Sequence, residues 1–136
     1  MMLRIISFLL LGFLFISPLQ SHAAGPVQLV QGKCPDSTKL IKSSQKGLAS
    51  KATLFVSSLM ATTQDAKSWQ ILTISPLKKR SPYYSPAVSA CEQKIAANSF
   101  LVDILITKQS GQLPVRMHLF AAKKTTGWMI WGLTPY

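Results

Sequence analysis

The sequence predicts an α+β domain in which an antiparallel sheet is packed by one or two short helices. Three observations lead there. From Asn98 to Tyr136, apolar residues alternate with others in three runs separated by Ser110-Gly111 and Thr125-Thr126-Gly127, the pattern of a three-stranded meander. Just before it, Ala87 to Ala97 places Val88, Cys91 and Ile95 on one helical stripe. Finally, only two cysteines follow an N-terminal segment with the features of an export leader. An all-β barrel or sandwich is the alternative architecture.

Residues 1–23 read as a signal peptide: Arg4, an apolar run from Ile5 to Ile16, Pro18, and then Ser21-His22-Ala23, which favours cleavage after Ala23. The apolar run is short for a bilayer span, and no second stretch of transmembrane length follows. No cysteine sits just after the cleavage position to carry a lipid. The expectation is one small domain, residues 24–136, located in the periplasm or secreted. Cys34 and Cys91 then pair as a disulfide, since an oxidising compartment leaves two cysteines no other partner. In the chain-entropy account that closure stabilises the fold by roughly 4 kcal/mol.

Along the predicted mature chain, Pro26 to Gln31 alternates as a short edge strand, with Pro26 at its start where a missing N–H does least harm. Asp36 or Ser37 is placed to cap a short helical segment carrying Leu40 and Ile41. Leu48 to Ala61 fits either period. Leu54, Phe55, Ser58 and Leu59 share one helix face, whereas Ala52, Leu54 and Val56 alternate with Lys51 and Thr53; the density of Ser and Thr favours a strand. Ser68 to Ser75 is a clearer strand, with Trp69, Ile71 and Thr73 on one side and Leu72 and Ile74 on the other. The segment between Pro76 and Pro86, with three adjacent cations and two tyrosines, reads as an exposed loop of the kind that carries binding residues. Ser85 then caps the helix, with Pro86 at its first position.

If Ser110-Gly111 forms a two-residue turn, Gln109 faces Gln112 and the register of the hairpin follows. Ile106 meets Val115, Ile104 meets Met117, and Val102 meets Leu119, a uniformly apolar core face. On the other face Leu105 meets Arg116, Leu101 meets Phe120, and Asp103 meets His118, the one histidine left after export.

The full chain carries a net charge of +11, which falls to +10 when Arg4 leaves with the leader. Its cations are scattered, with the densest groups at Lys78-Lys79-Arg80 and Lys123-Lys124. Such a balance suits a well-solvated surface and attracts anionic partners: an envelope surface or an acidic partner protein, without the marks of specific nucleic-acid binding. Catalytic chemistry is poorly supported. His118 and Asp103 have no nucleophile-elbow serine to complete a triad. Only four carboxylates are present for glycoside hydrolysis, and there is no phosphate-cradling glycine loop. With the cysteines bridged, one histidine is too few for zinc.

Haem is the ligand these residues suit best. Scarcity makes His118 the candidate iron ligand, with Asp103 expected to hold Nδ1–H and leave Nε2 free. Tyr83 and Tyr84 are the alternatives, while Arg116 and the Lys78, Lys79 and Arg80 group are placed to meet propionates. The Cys34-Pro35 dipeptide would offer a thiolate only if it were unbridged.

Taken together, the leader, the chain length, GKCPDSTKL near the mature start, VSACEQK before the meander, and VRMHLF and GWMIWGLTPY within it resemble the small exported hemin-binding proteins of Gram-negative intracellular bacteria. That resemblance spans most of the mature chain. It implies haem binding and a non-enzymatic role, and carries over no ligand residues.

Overall fold

A computed structural model describes residues 27–135; the predicted leader and Pro26 lie outside the described residues. Strands β3 (Ser99–Lys108) and β4 (Val115–Lys124) pair in the register the alternation predicts, with Val102 opposite Leu119, Asp103 opposite His118, and Ile106 opposite Val115. The connection is wider than a two-residue turn. Paired positions stop at Ile106 and Val115, because Pro114 comes next on β4 and has no N–H to give the ladder. Strand β5 (Gly127–Leu133) returns through the tight turn at Thr125-Thr126, where Gly127 takes φ 120°, a conformation glycine adopts without a Cβ clash. Two further strands, β1 (Val30–Gln31) and β2 (Ala66–Pro76), complete an open five-stranded antiparallel sheet in the order β1-β5-β4-β3-β2. The α+β class is therefore as expected, and the sheet does not close into a barrel.

The first face of the sheet is covered by helix α1, Leu48–Ala61, where a strand was expected. Leu48, Ala52 and Val56, one turn apart, are fully buried against Val102, Ile104, Ile106, Met117, Leu119 and Ala121. Leu54, at the centre of both sequence patterns, is 71% exposed. Helix wins because a broad apolar sheet face needs a continuous stripe to cover it, and this segment supplies one at i, i+4, i+8.

The second face is covered by two short helices, α2 (Tyr84–Ala90) and α3 (Gln93–Ala97), where one continuous helix over Ala87 to Ala97 was expected. The break is at Glu92, whose φ of 150° and ψ of 167° lie in a region used almost only by glycine. It lets Ala87, Ile95 and Ala96 all reach Phe120, Ala122 and Trp131 while Cys91 turns to Cys34. Those two cysteines form the expected disulfide, with Cα atoms 5.5 Å apart.

Besides a register shift between Ala66 and Ser68, two bulges displace the simple alternation. The register shift between Ile71 and Thr73 brings Trp69, Ile71 and Ile74 all to the first core and leaves Leu72 and Thr73 exposed, so Ile71 and Ile74 do not oppose each other as expected. A second shift falls between Phe120 and Ala121. Trp128 and Trp131 do take opposite faces, packing in the first and second cores respectively. Near the N-terminus the strand is shorter than predicted. Asp36 caps only a single 3-10 turn, Ser37–Lys39, with its Oδ1 accepting from the Thr38 backbone N–H.

Candidate functional site

Strand β4 carries Arg116 and His118 on the second face, two residues apart and therefore side by side. Asp103 on β3 stands directly opposite His118, and its carboxylate is mostly buried. Arg116 reaches diagonally to it: Nε donates to Oδ1 at 3.1 Å, and Nη2 donates to Oδ2. The Arg116 side chain is 58% exposed, so it covers the buried acid from the solvent side and keeps donors free for a further anion.

The histidine is held on both edges. Its Nε2 lies 3.4 Å from Asp103 Oδ1, and its Nδ1 lies 3.5 Å from Thr134 Oγ1. Thr134 also accepts from the His118 backbone N–H at 2.9 Å and donates its own N–H to the His118 carbonyl. Nε2 therefore faces the carboxylate and Nδ1 the threonine hydroxyl. This corrects the expectation that Asp103 would hold Nδ1 and free Nε2: a β4 side chain facing Asp103 across the ladder presents its distal ring nitrogen to the carboxylate. Burial lowers the imidazole below its ordinary pKa, Asp103 pulls it back up, and Arg116 lowers it again.

Tyr83 arrives from the loop after β2 and lays its ring on the imidazole, centroids 4.3 Å apart and planes tilted by 36°. The loop is fixed where it leaves the sheet by the Leu77 N–H donating to the Ser99 carbonyl. Farther along, the Ser81 hydroxyl accepts from the Tyr83 N–H at 3.2 Å. Tyr83 also raises the pKa of Arg116, after the larger effects of the hydrogen bond and charge of Asp103. Together Tyr83, Arg116, His118 and Thr134, with Val27, Gln28 and Pro135, line an open depression of about 550 Å³.

Of the residues singled out from the sequence, Tyr83, Arg116 and His118 come together in this depression. Tyr84 does not. It packs in the second core, and its buried hydroxyl has no hydrogen-bond partner among the described residues. Lys78, Lys79 and Arg80 are exposed on the turn and do not line the depression. Cys34 and Cys91 are bridged, so neither offers a thiolate. Thr134 was missed by sequence reasoning. Counting back from the Thr125-Thr126 turn puts Leu133 opposite His118, and only the extra residue at the Phe120/Ala121 bulge moves Thr134 there.

The arrangement offers a phenol, an exposed guanidinium and a half-buried aromatic floor. Among the described residues, no three His, Cys, Asp or Glu side chains converge as a cation site. Nor is any helix among them long and apolar enough to cross a membrane. No known protein family, curated protein or solved structure matches the chain.

Proposed function

We propose that the protein is an exported, non-catalytic ligand-binding module whose depression beside Tyr83 takes haem. The observation that carries this reading is the convergence of Tyr83, Arg116 and His118 on one open space of about 550 Å³, within the roughly 300–1,000 Å³ of small-molecule sites. Those residues fit the group. A tyrosine phenolate is an established haem-iron ligand, and the free donors of Arg116 suit a propionate. His118, engaged at both nitrogens, supports the Tyr83 ring from behind and is the second choice for the iron. Bound haem would supply the iron chemistry; the chain's part is to bind and orient it. The resemblance of the sequence to exported hemin-binding proteins makes hemin the probe to use.

The test is a hemin titration followed by Soret absorbance at low and high salt, on wild type, Tyr83→Phe and His118→Ala. Expected is a Soret shift that survives high salt, is lost in Tyr83→Phe, and persists in His118→Ala. An unchanged shift in Tyr83→Phe together with its loss in His118→Ala would transfer the iron to the histidine. Loss of all wild-type binding at high salt would overturn the haem reading.

A second reading, adhesion to an anionic envelope surface or an acidic partner protein, is favoured by the Lys78, Lys79 and Arg80 group standing exposed away from the depression. Its signature is a steep loss of binding with ionic strength, because exposed charges are screened within about 10 Å at 0.1 M salt.

A further inference from the structure

The lysines that look scattered in the sequence are gathered by the fold at one end of the sheet. The segment after the 3-10 turn runs beside the β4–β5 hairpin. Leu40 bridges to Lys124, the Ile41 N–H donates to the Lys123 carbonyl, and the Thr125 N–H donates to the Lys39 carbonyl. Farther along, the Lys46 carbonyl accepts from Trp128 Nε1 at 2.8 Å. The segments carrying Lys39, Lys42, Lys46, Lys123 and Lys124 therefore come from two distant stretches to one end of the sheet, with Lys123 and Lys124 on its two faces. The one acid tied to this group is Asp36, spent on capping Thr38 and lying 3.9 Å from Lys39. Ile41, between Lys39 and Lys42 in sequence and joined by its backbone to Lys123, is 37% exposed.

We propose that this end of the molecule is a docking surface for a phosphate-bearing lipid bilayer. The case rests on charge complementarity and on the exposed Ile41. Lysine ammonium groups meet lipid phosphates while their methylene stems, and Ile41 with them, enter the headgroup boundary. A nucleic acid suits the surface less well, because it needs an aromatic face free to stack on bases. Trp128 has none to spare: Lys123 Nζ lies 5.7 Å from its ring centroid, Phe100 meets it at 5.4 Å edge to face, and its Nε1 is taken by Lys46. The surface is also separate from the haem depression. Arg116 and Lys124 lie near opposite ends of β4, eight residues or about 26 Å apart at ~3.3 Å per residue. This inference deepens the envelope-adhesion reading and does not depend on haem.

The test is cosedimentation of the mature protein with vesicles of phosphatidylcholine alone and of equal parts phosphatidylcholine and phosphatidylglycerol. Three proteins are compared: wild type, Lys42→Gln/Lys124→Gln, and the charge-matched control Lys67→Gln/Lys108→Gln, whose lysines lie at the far end of β2 and β3. Near-UV circular dichroism checks that each variant folds. Expected is binding to the anionic vesicles only, weakened roughly 25-fold in the first double variant at about fivefold per lysine, and no more than about twofold in the control. Ile41→Asn should weaken the same binding with an unchanged salt dependence. Equal losses in the two double variants would overturn the assignment of the surface while leaving general adhesion standing. No wild-type binding to anionic vesicles would overturn both. A Lys42/Lys124 effect on single-stranded DNA binding without one on vesicles would overturn the lipid in favour of nucleic acid.

Discussion

The guanidinium of Arg116 holds both carboxylate oxygens of Asp103, although the residue facing Asp103 across the ladder is His118. The imidazole therefore sits between opposing charges, with burial the largest influence on it. Arg116→Gln should raise the His118 pKa, by removing a cation, and Asp103→Asn should lower it. Titration of the ring protons by NMR reads both. A fall in Arg116→Gln would mean that the two side chains are not paired in solution.

His118 also sets a pH dependence of stability. Its folded pKa lies below the ordinary 6.5 of the unfolded chain, so the unfolded state takes up the proton first. The contribution is fully present above pH ~6.5 and is lost as the pH falls through the folded pKa. His118 is the one histidine among the described residues. Urea midpoints between pH 7 and 5 should fall in wild type and flatten in His118→Gln. A wild-type profile no steeper than the variant's would refute the linkage.

The Cys34–Cys91 bridge closes a separation of 57 residues. Cys34→Ala/Cys91→Ala should lower the unfolding free energy by about 4 kcal/mol in the chain-entropy account, measured by urea denaturation without reductant. A loss below about 1 kcal/mol would show that the unfolded chain is already constrained or the native bridge opposed by strain.

Within α1, Leu48→Ala removes a fully buried side chain and should cost about 3 kcal/mol, while Leu54→Ala should stay within about 0.5 kcal/mol. The pair separates helix from strand. As a strand alternating through Ala52, Leu54 and Val56, the segment would bury Leu54, and its truncation would then be as costly as that of Leu48.

Ser99 is buried, donating to the Ile95 carbonyl at 2.7 Å and accepting from Trp131 Nε1 at 3.0 Å. Ser99→Ala strands a buried indole N–H and should destabilise by about 1–3 kcal/mol. Trp131→Phe/Ser99→Ala should cost less than the two single changes added together, since the second change leaves no donor to orphan. A strictly additive double variant would argue against the hydrogen bond.

What the chain determined locally was the pairing of β3 with β4 and the disulfide. A period of two permits one register that buries Val102, Ile104 and Met117 together, and two cysteines permit one intramolecular bridge. The position of Asp103 opposite His118 followed from the same register. The tertiary structure decided everything that depended on reach or on an uncounted residue. Leu48 to Ala61 satisfies both periods, and the sheet face awaiting cover chose the helix. The bulges at Leu72 and, opposite Phe120 and Ala121, at Trp131 each add one residue that no local pattern announces, and the second places Thr134 on His118. Arg116 takes the carboxylate because a long side chain spans the diagonal of the ladder. Tyr83 reaches the same spot, and Leu40 meets Lys124, because distant segments are brought together by burying Trp131, Phe120 and the α1 stripe, a cooperative outcome that no single window of sequence contains.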